Sequence, residues 1–240
     1  VSALYKSGAQ KFTAPPANLG LVGYWSMNEG TGAYADDSSG NNNRGTLVSG
    51  PAWVDGKRGK ALSFDYVNDY VEAADKASLR VGVPSFTFSA WLKPGNVSGC
   101  GDESAGAGCI VFNKENSYEW GISNNGKIQW AIRNTSPGWA WANSGLTAPS
   151  GVWTHIVITY NGSNIITYKN GGASTNSQSG SGNVDNTTYR NALRIGARNA
   201  PGAASSFFPG LIDDVRIYNR ALSATEIQAL YKSGAGRIGL

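Results

Sequence analysis

From Leu19 onward the chain is cut into short alternating runs, each closed by a cluster of Gly, Asn, Ser or Asp. That punctuation demands many strands and tight turns and leaves little room for long helices, which is the pattern of a sandwich or barrel. Composition agrees where it matters. There are 32 glycines and one methionine, and charged residues make up 15 %, below the roughly 25 % usual for soluble domains. A chain of 240 residues suits a single large all-β sandwich. Strands are expected at 20–27, 61–64, 70–72, 86–93, 110–114, 118–123, 127–134, 153–161, 165–169, 192–197 and 210–218. Two hairpins are explicit. Asn124, Asn125 and Gly126 join one strand pair, and Asn161, Gly162, Ser163 and Asn164 join the next, with Gly free to take positive φ.

One helix is expected. Ser223 and Glu226 form a capping box, in which each side chain satisfies a free terminal N–H of the helix. Ile227, Leu230 and Tyr231 then fall on one face, and Gly234 is expected to end the helix. The same stretch holds a repeat. The heptapeptide Ala-Leu-Tyr-Lys-Ser-Gly-Ala occurs at Ala3 to Ala9 and again at Ala229 to Ala235, an offset of 229 − 3 = 226 residues. Self-similarity at a fixed period marks a tandem array. Residues 1–18 therefore read as the tail of a preceding repeat plus a linker whose Pro15 and Pro16 stop the helix, and residues 19–240 as one domain with its closing helix. Tandem copies on one parent chain raise the avidity of a weak binder.

Charge and cysteine usage narrow the function classes. The net charge is +4, with Lys and Arg scattered and Lys57, Arg58 and Lys60 the densest group. No basic tract suggests a nucleic-acid partner, and no apolar run approaches the roughly 18 residues of a membrane helix. Cys100 and Cys109 bracket a short Gly-, Ala- and Ser-rich loop that fits no zinc spacing. They form either a local disulfide or two free thiols. The disulfide favours an extracellular setting, secreted or on the cell surface, with any export signal lying outside this sequence.

Several motifs occur in order: Gly20-Leu-Val-Gly-Tyr-Trp-Ser-Met-Asn-Glu-Gly30, Asp37-Ser-Ser-Gly-Asn41, Gly59-Lys-Ala-Leu-Ser-Phe-Asp65, Phe86-Thr-Phe-Ser-Ala-Trp91 and Trp153-Thr-His-Ile-Val-Ile-Thr-Tyr160. The most specific is Gly210-Leu-Ile-Asp-Asp-Val-Arg-Ile-Tyr-Asn-Arg-Ala-Leu-Ser223. Over about residues 19–233 the chain resembles the laminin-G-like, concanavalin A-like lectin and glucanase jelly rolls. The resemblance implies an all-β fold: a two-sheet antiparallel jelly-roll β-sandwich with a short C-terminal helix. It also implies a structural calcium ion, and carbohydrate or protein binding more often than catalysis.

For calcium, period-two alternation along 211–218 groups Asp213 with Leu211, Val215 and Ile217. An ionised carboxylate among apolar neighbours costs several kcal/mol unless it has a partner. The loop 36–43 offers many of the hard oxygens calcium prefers. The resemblance places the ion between that loop and the closing strand, which carries over Asp37 and Asp213, with Asn28, Glu29 and Asn42 as further ligands. The alternative is an Asp213 neutralised by an Arg or by backbone amides.

For carbohydrate, sites combine aromatic platforms with fixed hydrogen-bonding groups. Trp25, Trp91 and Trp153 are assigned to packing, as are Trp120, Ile122, Ile128, Trp130 and Ile132. Trp139 and Trp141 lie two apart in a stretch that is not a buried strand, and are either a binding platform or a lid on the sheet edge. Their polar companions are Glu119, Gln129, Arg133 and Arg198, with Tyr118 and Asn113 nearby. Phe207 and Phe208 are either an exposed pair or a seal on the sandwich end.

Catalysis is not expected. The six Glu residues form no Glu-x-Asp alternation, and Glu115 and Glu119 share a face only if one strand runs through both. The sole His, His155, has no Ser or Cys arrangement suggesting a triad. The reading that follows is a non-catalytic, lectin-like module binding polysaccharide or glycan on its concave sheet, stabilised by calcium. Its rivals are a structural or adhesive surface repeat with a protein partner or none, and an unusual glycoside hydrolase or lyase.

Overall fold

The computed structural model describes residues 18–81, 85–101, 108–134, 136–174, 176–184, 190–200 and 203–235. The expected repeat tail at the N-terminus lies outside the described residues. In chain order the first strands are β1 (Leu21–Trp25), β2 (Tyr34–Ala35), β3 (Gly45–Val48), β4 (Ala52–Asp55), β5 (Lys60–Asp65) and β6 (Tyr70–Ala73). Next come β7 (Phe86–Pro94), β8 (Cys109–Lys114), β9 (Tyr118–Ile122), β10 (Lys127–Ile132), β11 (Ala142–Thr147), β12 (Thr154–Tyr160) and β13 (Asn164–Lys169). The last are β14 (Gly172–Ala173), β15 (Gln178–Ser179), β16 (Leu193–Ile195), β17 (Arg198–Ala200), β18 (Ala203–Ser205) and β19 (Pro209–Tyr218), followed by helix α1 (Ala224–Ala235).

Two antiparallel sheets result, as expected for a jelly-roll sandwich. One orders β14-β13-β12-β7-β19-β5-β4, with β1 also on β19 and β15 on β13. The other orders β11-β10-β9-β8-β16-β6-β3-β2, and β17 and β18 form a separate hairpin. Both explicit turns hold: Gly126 (φ 75°) links β9 to β10 and Gly162 (φ 89°) links β12 to β13. The strands that sequence did not show, β2–β4, β11, β14, β15, β17 and β18, are short and include the sheet edges. An edge strand has one partner and needs little apolar alternation, so its pattern is faint.

The core between the sheets includes Trp25, Phe86, Phe88, Phe112, Tyr118, Trp120 and Trp130. Each fully buried large side chain contributes about 1.5–3 kcal/mol. Phe208 belongs to this core, whereas Phe207 is half-buried and part of neither cluster. A second cluster lies on the opposite face of the β19-containing sheet, where Ile227 and Leu230 of α1 pack on Val157, Tyr168, Tyr218 and Leu222. The capping box forms: Ser223 N–H donates to Glu226 Oε2 at 2.8 Å and Glu226 N–H to Ser223 Oγ at 3.3 Å. Arg220 grips the same carboxylate from outside the helix.

Two expectations need correction here. Helix α1 does not stop at Gly234 but includes it, and Gly234 lies against Trp91, where a Cβ would meet the indole. Trp91 packs as expected, under α1, with its ring stacked on Tyr231 (5.6 Å) and tilted against His155 (5.0 Å). Trp153 is only half-buried and belongs to neither core cluster, since it precedes the first paired residue of β12. His155 is fully buried, with Nε2 2.9 Å from Ser89 Oγ, and burial holds its pKa down at about 3.

Candidate functional site

Strand alternation decides which polar groups share a face. In β8–β10 the side chains of Phe112, Tyr118, Trp120, Ile128, Trp130 and Ile132 enter the core. The intervening residues therefore point to the other side of this sheet. Asn113 pairs with Glu119, Glu119 with Ala131, and Gln129 with Asn143 of β11. Trp141 immediately precedes Ala142, the β11 residue that pairs with Trp130. Trp141 and Trp139 are half-buried and are part of neither core cluster.

The two indoles are not brought together for the reason the sequence suggested. Residues 136–141 are not extended: Ser136–Pro137 is cis, Gly138 has φ 81°, and Ala140 N–H bonds back to Gly138 O at 2.8 Å. Period-two spacing does not apply across such a turn, so the spacing does not put Trp139 and Trp141 on one face.

Around Asn113 and Glu119 a buried polar network is built. Asn113 Nδ2 donates to Glu115 Oε2 (3.0 Å) and to Glu119 Oε2 (2.6 Å), and Asn113 Oδ1 accepts Asn199 N–H at 2.9 Å. Arg198 forks onto Glu115, Nε to Oε2 at 2.9 Å and Nη2 to Oε1 at 3.1 Å, and lies 3.4 Å from Glu119. Arg194, paired with Glu72 at 2.8 Å, extends the face toward β6. Glu115 and Asn199 were missed as site residues. The β8–β9 turn, with Asn116 at φ 62°, folds Glu115 back beside Glu119 without any unbroken strand. An Asn between two alternating runs is the only signal the sequence offers for it.

Three atoms of this face lack partners. Gln129 leaves both Oε1 and Nε2 unbonded, and Glu119 leaves Oε1 unbonded, though both residues are 2 % exposed. Burial, with the Glu115 charge, pushes the Glu119 carboxyl up to about 7 against the opposing pull of Arg198 and Asn113. A buried polar atom without a partner costs about 1–3 kcal/mol. Arg133 bonds Asn116 Oδ1 at 3.3 Å at the rim of the same face. Tyr118 requires correction: it is a core residue, wedged against Phe88 and Phe112, with its hydroxyl donating to Leu79 O at 2.9 Å. Its neighbour Glu119 faces the site, so alternation excludes Tyr118 from it.

Both oxygens of Glu115 accept hydrogen bonds from the Arg198 fork.

The calcium ligands separate into two groups. Asp37 is consumed by its own loop. Its Oδ1 accepts the N–H groups of Tyr24 and Ser39 at 2.9 Å, and its Oδ2 accepts Ser39 Oγ and Asn43 N–H at 2.8 Å. Four donors fill a carboxylate, so Asp37 is corrected from ligand to loop organiser. The backbone carbonyl of Asn42 accepts the Lys76 ammonium, a bond that does not involve its side-chain amide. Asn28 and Asp213 flank one turn: Asn28 Oδ1 accepts Lys60 N–H at 2.8 Å and Asp213 Oδ2 accepts Arg58 N–H at 2.9 Å.

Asp213 does not share the face the alternation gave it. A bulge at Asp214 (φ 55°) shifts the phase of β19, so that Ile212, Val215 and Ile217 enter the core while Asp213 pairs with Trp91. It is nevertheless fully buried, with Oδ1 unpartnered, and burial pushes its pKa up to about 7. Glu29 Oε2 is also buried and unpartnered. An orphaned carboxylate oxygen beside a turn of backbone groups fits a hard cation. Among the described residues no three His, Cys, Asp or Glu side chains converge as a metal cage, so backbone oxygens or water would have to complete the shell.

A laminin G family model, described as the concanavalin A-like lectin/glucanases superfamily, matches residues 65–228. The chain belongs to this superfamily. No curated protein shows significant similarity to it. Among solved structures, this concanavalin A-like chain is similar to the binding domain of Paraclostridial Mosquitocidal Protein 1. The TM-score is 0.69 and the identity 20 %, over 91 % of this chain and 53 % of that one. It is also similar to domain 4 of AbnA, an extracellular arabinanase from Geobacillus stearothermophilus solved in complex with arabinotriose. There the TM-score is 0.64 and the identity 22 %, over 88 % of this chain and 98 % of that one. A third is the binding domain of botulinum neurotoxin DC in complex with rat synaptotagmin II, at TM-score 0.67 and 16 % identity, covering 90 % and 52 %. The concanavalin A-like chain thus spans about half of the two toxin chains and nearly all of the arabinanase domain. Identities this low establish the shared fold alone.

The expected disulfide is formed between Cys100 and Cys109. Among the described residues no helix is long and apolar enough to cross a membrane.

Proposed function

We propose that this concanavalin A-like module is a non-catalytic carbohydrate-binding module of a secreted or cell-surface multidomain protein. The observation that carries the proposal is the set of unpartnered polar atoms on Gln129 and Glu119, bounded by Asn113 and Arg198. Sugar hydroxyls both donate and accept, so a hydroxyl rim that displaces the side chains covering Gln129 would satisfy its amide oxygen and nitrogen together. The apolar face of the ring would stack on an indole, and Trp139 and Trp141 are half-buried indoles in the segment just before β11. Low affinity per module is expected, because ordering the ligand and the indoles offsets much of the contact energy. Tandem copies on the parent chain compensate through linkage.

Calcium serves this reading structurally. The residues that fit it are Asp213, Asn28 and Glu29, and bound calcium would supply the positive charge that the buried Asp213 carboxylate otherwise lacks. An ion there ties the β4–β5 turn to the closing strand β19.

A glycan array followed by affinity electrophoresis tests the function. Retention by one class of polysaccharide is expected, with loss of retention in Trp139→Ala/Trp141→Ala at unchanged circular dichroism. Silence across polysaccharides would instead favour an adhesive repeat with a protein partner, and release of reducing ends would favour a hydrolase.

A further inference from the structure

Two carboxylates of the glycan face share one set of donors. Asn113 Nδ2 donates to Glu115 Oε2 at 3.0 Å and to Glu119 Oε2 at 2.6 Å. Arg198 Nε is likewise divided, lying 2.9 Å from Glu115 Oε2 and 3.4 Å from Glu119 Oε2. The division is unequal, because Arg198 Nη2 also goes to Glu115, at 3.1 Å. Glu115 is thus held on both oxygens, while Glu119 keeps Oε1 unpartnered at 2 % exposure. The other charged groups on the surrounding strands have their own engagements. Lys114 of β8 pairs with Asp75 at 2.6 Å, and Arg194 of β16 with Glu72 of β6 at 2.8 Å. On β10, Arg133 bonds Asn116 Oδ1 at 3.3 Å, and Lys127 stands at the opposite end of the strand from Ala131, the partner of Glu119.

A neighbouring like charge and an oxygen without a donor make the ionised form of Glu119 costly. Its pKa of about 7 agrees, with burial the largest cause and the Glu115 charge adding to it. A ligand arriving here adds little desolvation, since the carboxyl is already out of water. What Oε1 lacks is a donor. A sugar hydroxyl supplies one, and a hydrogen bond to a carboxylate is stronger than one to the neutral acid. Bound sugar therefore favours the ionised form.

We propose that glycan binding on this face is proton-linked: a ligand hydroxyl donating to Glu119 Oε1 holds that carboxyl ionised, so binding releases protons and weakens in acid. The inference rests on the carbohydrate reading and deepens it, because it gives the same site a response to the acidity of its surroundings. The free module carries the proton below about pH 7, and the complex carries it only at lower pH. Affinity is therefore complete above about 7 and is lost as pH falls below that value. A charge-assisted bond of ordinary strength makes binding about tenfold weaker at pH 5 than at pH 8.5.

Calorimetric titration of the full 240-residue chain tests this. The probes are arabinan, galactomannan, xyloglucan and a soluble β-glucan, none of which carries a titratable group, so any proton released comes from the protein. Each is titrated at pH 5, 7 and 8.5 in two buffers of different ionisation enthalpy. Binding of at least one probe is expected, about tenfold weaker at pH 5, with protons released at pH 7. Glu119→Gln should remove both effects, which also separates Glu119 from Asp213, a second carboxyl at about 7 but in the other sheet. Glu115→Gln should move the midpoint of the affinity profile to lower pH, because it removes the neighbouring charge and frees Arg198 for Glu119. A merely structural role for Glu119 would leave that midpoint in place. Equal binding at all three pH values, tighter binding in acid, or pH dependence that survives Glu119→Gln would overturn the proposal and leave the carbohydrate reading standing. Silence of all four probes would also overturn it, and the wider glycan array then decides the carbohydrate reading on its own.

Discussion

Gly234 rests directly on Trp91, close enough that a Cβ on Gly234 would lie 2.8 Å from the indole Cε2. This is the contact through which the closing helix recognises its sheet. Tyr231 stacks on the same indole, and Gly, Tyr and Leu are three of the letters shared by the duplicated heptapeptide. In a free helix Gly→Ala gains up to about 1 kcal/mol. Here Gly234→Ala is expected to cost about 1–3 kcal/mol through overpacking, read as a lower denaturant midpoint at unchanged m-value. A stabilised variant would show that the helix does not sit on Trp91.

Acid is expected to release the helix before the sandwich. His155, beneath Tyr231, is held down at about 3 from its ordinary 6.5 by burial. The unfolded state then binds the extra proton between those values, so its contribution is complete above about 6.5 and is lost as pH falls toward 3. Glu226 is held down at about 2, first by its hydrogen bond to Arg220 and then by Ser223, and its contribution is lost as pH falls from the ordinary carboxylate range toward 2. Both act on α1. Tryptophan fluorescence should change between pH 6 and pH 3 while the β-sheet circular dichroism persists. His155→Phe should flatten the upper part of that transition; an unaltered profile in this variant would contradict the account.

For calcium, a chelator is expected to lower the melting temperature of the wild-type chain. At a hundredfold excess over Kd the ion contributes about 2.7 kcal/mol. Asp213→Asn should abolish the chelator effect and, in chelator, melt no lower than wild type, because it removes a buried unpartnered carboxylate. Chelator sensitivity retained in Asp213→Asn would place any ion elsewhere.

Much of the fold was legible because the central strands and the capping box carry local signals. Alternation in β7, β9, β10 and β12 and the turns at Gly126 and Gly162 depend only on neighbouring residues. Three of the failures share one cause, a backbone irregularity that alternation cannot register. The bulge at Asp214 moved Asp213 to the other face, and the turn at Asn116 brought Glu115 to Glu119. The non-extended run 136–141 broke the assumed pairing of Trp139 with Trp141. Asp37 was read as a ligand because an acidic residue among Ser and Asn looks like a cation loop. Three backbone N–H groups and the Ser39 hydroxyl already fill it.

The most direct test of the glycan face is Gln129→Leu, which keeps the side-chain size and removes both unpartnered amide atoms. Melting temperature and retention in a gel of the polysaccharide found by the array are measured on the same preparation. The account predicts a variant more stable by about 1–3 kcal/mol that is no longer retained, since the atoms that burden the free module are those that hold the sugar. A variant retained as strongly as wild type would contradict it.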